Sequence, residues 1–316
     1  MNLTIGTRGS ALALWQAEHV AAAIEKRYTH VHVALRKIKT QGDKILDTPL
    51  AKIGTKGLFT KEIEEALLEG RVNLAVHSMK DVPTDLPRGL KLAAVMQRED
   101  PRDVFLSRDG RGLRDLKAGE RIGTSSLRRK AFLLNRFPGL DVISIRGNVE
   151  TRIRKIETEN LSGILLAAAG IKRMGMEERI TEYVDPEIMI PAIGQGALAI
   201  EIREDDPETE AFIAHLNDPG TATCVRVERA FLMRLGGGCQ VPIAAHCTQQ
   251  GSEIRVAGAV VHPDGNPIFR DLVVTNSSSP DTGTRLADAL IKQGADEILQ
   301  CVFSNEWEPG PTMDII

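Results

Sequence analysis

Twice in this chain a short β-favouring run ends in Ile-Gly-Thr and opens into a helix. In the first copy Leu3-Thr4-Ile5 leads through Gly6-Thr7-Arg8-Gly9 to Ser10, placed to cap a helix whose apolar residues include Trp15, Val20 and Ile24. In the second, Ile122-Gly123-Thr124 leads through Ser125-Ser126 to a helix from Leu127 to Phe137. A strand that feeds a helix through a short polar turn is the building unit of an α/β domain with a largely parallel sheet. The surrounding segments continue the alternation. Val31 to Ile38 reads as a strand, Gln41-Gly42-Asp43 as a polar loop, Phe59 to Leu68 as a helix, and Val72 to Val76 as a buried strand running into His77-Ser78-Met79-Lys80-Asp81. After the second copy, Asp141 to Ile145 is a strand ending at Arg146-Gly147-Asn148, and Ile164 to Ala168 is a buried strand ending beside Lys172 and Arg173. The offsets differ, so this is an architectural echo rather than a strict repeat. It predicts two similar α/β lobes facing a cleft, with the crossover near residues 97–104.

At 316 residues the chain exceeds one comfortable domain. A third unit is expected after the acidic stretch at 203–219. It comprises a helix from Val225 to Leu235, the loop Gly236-Gly237-Gly238-Cys239, strands Ile254 to Val261 and Ile268 to Val274 around the turn Pro263-Asp264-Gly265-Asn266, and a closing helix from Arg285 to Phe303.

Charge is balanced overall, at −3, and only 12 residues are aromatic, which argues against a general nucleic-acid binder. Locally it is not balanced. Residues 121–155 carry nine Lys/Arg against two Asp/Glu, a net of +7, and residues 201–219 carry one Arg against seven acids, a net of −6. No apolar run approaches the ~20 residues that span a bilayer. The N-terminal residues show no apolar stretch behind a basic start, so secretion is not expected. Cysteines 224, 239, 247 and 301 form no CxxC pair, as in a reduced cytosolic compartment.

Several residues carry potential chemistry, each with a plainer reading beside it. At Gly123-Thr124-Ser125-Ser126 backbone N–H groups and hydroxyls converge on a helix N-terminus, an anion-binding arrangement. Arg128 and Arg129 in that first turn oppose the helix dipole unless an anion lies nearby. Arg8-Gly9-Ser10, Arg146 and Arg152 extend the pattern, since guanidinium forks match carboxylate and phosphate; ordinary capping and surface ion pairs account for it equally. The Lys52-to-Phe59 segment, with Lys52 and Lys56, is a Gly- and Lys-rich loop but no Walker A match. Asp81 follows a buried strand, where α/β sheets place ligand sites, and either handles protons and a developing cation or caps the turn before Pro83. Cys239, among glycines, is either a reactive, modifiable thiol or a small buried hydrophobe. Cys239, His246 and Cys247 lack zinc-ligand spacing, and no metal is expected.

Together these segments closely resemble the porphobilinogen deaminase (hydroxymethylbilane synthase) family. The matching stretches are TRGSALALWQA, GDKILDTPLAKIGTKGLFTKEIE, AVHSMKDVP, REDPRDVF, IGTSSLRRKA, IRGNVETR, AAAGIKRMG, PAIGQGALAIE and GGGCQVP, in order from residue 7 to 242. Thr55 stands where the family usually has Gly and Ala11 where Pro is frequent; neither removes a chemical group.

The resemblance implies head-to-tail condensation of four porphobilinogen molecules, with loss of ammonia, to hydroxymethylbilane. It implies a covalent dipyrromethane cofactor held by a thioether to Cys239, and a catalytic carboxylate at Asp81. It places Arg8, Ser10, Lys80, Thr124, Ser126, Arg128, Arg129, Arg146 and Arg152 on substrate and cofactor carboxylates, and Gln16, Asp43, Lys52, Lys56 and Phe59 elsewhere in the active site. The implied fold is two type II periplasmic-binding-protein-like α/β lobes plus a small C-terminal α/β domain. Domain 1 would be residues 1–97 and 197–216, domain 2 residues 98–196, and domain 3 residues 217–316 with a tail frayed after about 305. The resemblance further implies a cytoplasmic monomer with a small-molecule substrate. Two other readings remain at this point: a non-enzymatic two-lobed anion-binding protein, and a transferase using the Cys239 thiol directly.

Overall fold

The computed structural model describes residues 2–44, 57–237 and 241–304. Among them thirteen strands follow in chain order: β1 (Asn2–Thr7), β2 (His32–Lys37), β3 (Leu74–Ser78), β4 (Leu90–Val95), β5 (Asp103–Ser107), β6 (Arg121–Gly123), β7 (Asp141–Ile143), β8 (Gly163–Ala167), β9 (Glu182–Tyr183), β10 (Leu198–Arg203), β11 (Ile243–Gln250), β12 (Glu253–Val261) and β13 (Ile268–Thr275). The chain divides into two compact units. The described residues of one are 2–44, 57–99 and 195–222; those of the other are 100–194, 223–237 and 241–304.

The first unit holds a sheet in the order β2-β1-β3-β10-β4. β1 pairs in parallel with β2 and β3, while β10 lies antiparallel to both β3 and β4. Leu3 and Ile5 point into a core shared with Val20 and Ile24 of the helix Ala11–Arg27, whose buried positions recur at helical spacing. Ser10 caps that helix, its hydroxyl accepting from the Ala13 amide at 3.3 Å.

The second unit repeats the scheme in the order β7-β6-β8-β5-β9, with β6 parallel to β7 and β8 and with β5 antiparallel to its neighbours. The two Ile-Gly-Thr junctions therefore leave equivalent strands, β1 and β6, each second in its sheet. Each sheet is largely parallel, as expected, with a single strand against the rest, β10 in the first and β5 in the second; that strand comes from a distant part of the chain and carries no local signal of its direction.

The second unit also contains a three-stranded antiparallel sheet, β11-β12-β13. Alternate residues of β12 serve different cores. Ile254, Val256 and Val260 pack with Val227, Phe231 and the C-terminal helices, whereas Ala259 and Val261 pack with Phe132 and Leu133 of the helix Leu127–Arg136. The expected closing helix is two helices, Asp281–Lys292 and Ala295–Phe303, separated by Gly294 at φ +108°. A helix cannot continue through that left-handed conformation. No helix among the described residues is long and apolar enough to cross a membrane.

The helix Asp281–Lys292 crosses the helix Pro219–Arg234 at a contact that only glycine permits: a Cβ on Gly283 would lie 2.0 Å from the Val227 carbonyl oxygen. Gly283→Ala must push the helices apart, and we expect it to cost roughly 1–3 kcal/mol in urea denaturation; an unchanged midpoint would show that the crossing is loose.

Candidate active site

In the first unit, one pocket is lined by residues from separate segments of the chain. Arg8 and Ser10 come from the turn after β1, Gln16 from the second turn of the helix that follows, Phe59 and Thr60 from the turn before the helix Lys61–Leu68, and His77, Ser78 and Asp81 from the end of β3 and the turn beyond it. β3 ends at Ser78, and a single 3-10 turn, Met79–Asp81, follows it ahead of Pro83. Backbone and side-chain bonds fix its position. The Met79 amide donates to the Ala197 carbonyl at 3.0 Å, and Gln16 Nε2 donates to Ser78 Oγ at 3.0 Å. Lys80 Nζ lies 3.5 Å from Gln195 Oε1.

Arg8 is held on two sides. Its guanidinium lies 4.3 Å from the centroid of the Phe59 ring, and it grips Asp43 with Nε at 3.1 Å and Nη2 at 2.5 Å from Oδ1. Thr40 donates its hydroxyl to Asp43 Oδ2 at 2.8 Å. Partial burial pushes the Asp43 carboxyl up, but the Arg8 and Thr40 bonds outweigh it and hold the group below the usual carboxylate range. The pair therefore persists at neutral pH and is lost only as pH falls through that lowered value.

In the second unit the basic stretch contains a buried charge cluster. Ser126 caps the helix Leu127–Arg136, accepting from the Arg129 amide at 3.4 Å, and Thr124 is buried just before it. Arg128 and Arg129 are 4% and 5% exposed and both turn onto Asp103, which is fully buried at the start of β5. Arg128 Nη2 and Arg129 Nε donate to Asp103 Oδ1 at 3.0 and 2.9 Å, and Arg128 Nη1 lies 2.7 Å from Oδ2. Backbone carbonyls of Ile190 and Leu165 accept a further bond each. Burial draws Arg129 below the usual arginine range, Asp103 raises it, and neighbouring Arg128 lowers it again. The anion that offsets two cations in a helical first turn is thus the protein's own carboxylate. Arg146 and Arg152 are half-buried near Gly147, whose carbonyl accepts from Arg152 Nε at 2.8 Å.

The pocket thus unites Arg8, Ser10, Gln16, Phe59 and Asp81, with Asp43 joined through Arg8. Thr124, Ser126, Arg128, Arg129, Arg146 and Arg152 lie in the second unit, and Cys239, Lys52 and Lys56 fall outside the described residues. Sequence reasoning missed Asp103, although it lies in REDPRDVF; its only signal is an acid at the start of the apolar run Val104-Phe105-Leu106. It also missed buried Glu64, and it counted Glu201 only within the net charge of the acidic stretch although that residue is fully buried. The rest of that stretch is partly committed as well: Asp206 caps the helix Pro207–Ile213 and Glu210 pairs with Lys91 at 2.7 Å.

A family model described as porphobilinogen deaminase, dipyromethane cofactor binding domain, matches residues 3–211, and one for the porphobilinogen deaminase C-terminal domain matches residues 222–292. The chain belongs to the porphobilinogen deaminase family. Porphobilinogen deaminase of Pelobacter propionicus is 53% identical over 96% of this chain and 98% of its own length. That of Syntrophotalea carbinolica is 54% identical over 94% and 95%, and that of Geobacter sulfurreducens 50% identical over 96% of each chain. Among solved structures, the methionine binding protein MetQ superposes with a TM-score of 0.42 at 12% identity, over 68% of this chain and 89% of its own. A TRAP periplasmic solute binding protein from Pseudomonas putida F1 does so with a TM-score of 0.40 at 11% identity, over 74% and 81%. As a porphobilinogen deaminase family member the chain is a transferase with hydroxymethylbilane synthase activity and a dipyrromethane cofactor-binding domain. A non-enzymatic anion-binding role is not favoured by these relatives.

The Asp103 cluster makes a stability prediction. Asp103→Ala leaves two buried guanidiniums without their counter-charge, and we expect a loss of about 3–5 kcal/mol in urea denaturation. A loss below about 1 kcal/mol would mean that water reaches the cluster freely.

Proposed function

We propose that this chain's residues perform two tasks in the synthesis of hydroxymethylbilane: gripping the acetate and propionate groups of pyrrole units, and stabilising the cation formed when ammonia leaves the aminomethyl group of porphobilinogen. The observation that carries this reading is the pocket in which Asp81 shares its walls with Arg8, Ser10 and Gln16. An acceptor-only carboxylate stands beside a guanidinium, a hydroxyl and an amide, all able to donate to a carboxylate.

Loss of ammonia leaves a methylene-bearing pyrrole whose positive charge spreads over the ring and its N–H. At about 4 Å and an effective dielectric near 20, a carboxylate stabilises a unit positive charge by about 4 kcal/mol, worth roughly 10³-fold in rate. Asp81 fills that role and accepts the pyrrole N–H. Arg8 and Ser10 take ring carboxylates in the first unit. Thr124, Ser126, Arg128, Arg129, Arg146 and Arg152 take them in the second, with Lys80, Lys52 and Lys56 adding positive charge. Gln16 orients the Ser78 end of β3, Asp43 orients Arg8, and Phe59 supplies an apolar face. The donor set fits a dipyrromethane, whose rings carry the same acid side chains; Cys239 is its attachment point. When bound, that group supplies the pyrrole carbon to which the first substrate unit joins.

We further read residues 1–97 and 197–216, 98–196 and 217–316 as three domains. We also read the chain as a cytoplasmic monomer without a nucleic-acid ligand; balanced charge, few aromatics and unpaired cysteine spacing support this.

Two measurements test the reading. Intact mass of the purified enzyme should exceed the polypeptide mass by one dipyrromethane, and Cys239→Ala should abolish the increment; unmodified active protein would refute the attachment. Asp81→Ala should keep the fold and the adduct while lowering kcat roughly 10²–10³-fold. Turnover within a few-fold of wild type would remove Asp81 from the chemistry.

A further inference from the structure

Beneath the Asp81 pocket lies a group of buried ionisable side chains that have no part in the condensation chemistry. His77 lines the pocket and sets its Nε2 2.9 Å from Glu201 Oε2. The two side chains are 5% and 1% exposed. They form a diagonal pair on one face of the antiparallel ladder, since His77 stands opposite Ala199 and Glu201 opposite Ala75. Glu64, 5% exposed, is buried on the helix Lys61–Leu68, which packs against β3 and β10. Glu64 Oε1 and Glu201 Oε1 are buried without a hydrogen-bond partner among the described residues.

Two carboxylates and one imidazole make a charge problem. With every group ionised the cluster holds a net negative charge out of water, and two buried carboxylates within Coulomb range of each other resist ionising together. Burial pushes the Glu64 carboxyl above its ordinary range, the Thr60 hydroxyl draws it back, the charge of Glu201 raises it again, and His77 lowers it in turn.

The neighbouring elements bring little compensation. β1 has no ionisable residue, and β3 brings His77 itself. β10 brings Glu201 and Arg203, the latter donating to the carbonyls of Leu67 and Val72 and pairing with Asp206. β4 brings Lys91, which pairs with Glu210. On the helix itself Lys61 and Glu65 are exposed, and Glu62 accepts from the Gln41 amide.

We propose that the buried Glu64 carboxyl, its Oε1 unpartnered among the described residues, holds a proton at neutral pH, and that this proton makes Glu64 a positioning residue: it keeps His77, and with it the end of β3, where Asp81 is presented to the pocket. Only three residues lie between His77 and Asp81, and the register of β3 on β10 sets both. Loss of the proton at alkaline pH places a second negative charge under β3 and disturbs the position of Asp81, while the donors that bind carboxylates stay in place. The consequence is a falling kcat with little change in KM. The positional half of this proposal rests on the catalytic reading of Asp81; the proton itself does not.

The experiment has two arms on the holoenzyme. Infrared difference spectra of protein labelled with 13C-glutamate should show a protonated carboxyl stretch at pH 7 that titrates away at higher pH and is lost in Glu64→Gln. Steady-state kinetics should show Glu64→Gln within about twofold of wild type at pH 7, with its alkaline limb of kcat displaced outward by about one pH unit or more and KM unmoved. A wild-type spectrum without a protonated carboxyl at pH 7 overturns the proton on Glu64, whatever Asp81 does, and needs no variant to fold. A protonated carboxyl together with superimposable pH profiles overturns the positioning role.

Discussion

The return of β10 into the first sheet is the constraint on which the pocket depends. Its five-residue antiparallel ladder with β3 runs from Leu198 opposite Ser78 to Ile202 opposite Leu74. The bond from Met79 to Ala197 extends that pairing by one residue, and the turn that carries Asp81 follows at once. Strand pairing admits only discrete registers, and a slip of one residue would exchange the two faces of β3. His77 would then leave Glu201, and Ser78 would leave Gln16. The location of the candidate catalytic carboxylate is thus set by hydrogen bonds to a segment more than 100 residues later in the chain.

The same strand explains why an acidic stretch with a net of −6 is compatible with a packed fold. Its acids perform separate local tasks: Glu201 faces His77 in the interior, Asp206 caps a helix and Glu210 holds Lys91. The basic stretch at 121–155 behaves in the same way. Its two most buried cations are offset by Asp103, which lies outside the stretch. Summed charge over a window is therefore a poor guide to its electrostatics, because the compensating groups arrive from other parts of the chain.

What is legible in the sequence follows from the range of the forces involved. Helix caps act over three or four residues, so Ser10 and Ser126 can be read from their immediate neighbours alone. The two Ile-Gly-Thr junctions and the β12–β13 hairpin are legible for the same reason. The direction of β10 and β5 is not, since their partners are remote and an apolar run looks alike in either orientation. The break at Gly294 is hidden because a single glycine in a helical pattern is often tolerated. In the site, family resemblance selects Arg8, Ser10, Gln16, Phe59 and Asp81, which line one pocket. It does not reveal Asp103 or Glu64, whose significance is a charge relation to a distant side chain rather than a local pattern.

The two arginine clusters differ in a way that bears on their service to incoming carboxylates. Arg8 and Asp43 are 26% and 23% exposed, so water can solvate Asp43 if a ligand carboxylate takes its place on the guanidinium. Exchange at such a site costs little, because exposed ion pairs contribute only about 0–1 kcal/mol. Asp103 is 0% exposed between Arg128 and Arg129 and has no such recourse. Those arginines must keep it and use what remains. Each guanidinium carries five N–H donors, against about four lone-pair sites on the shared carboxylate. The carbonyls of Ile190 and Leu165 take further donors of the pair. Arg8 can therefore exchange its carboxylate partner at little cost, whereas Arg128 and Arg129 are bound to theirs by its burial.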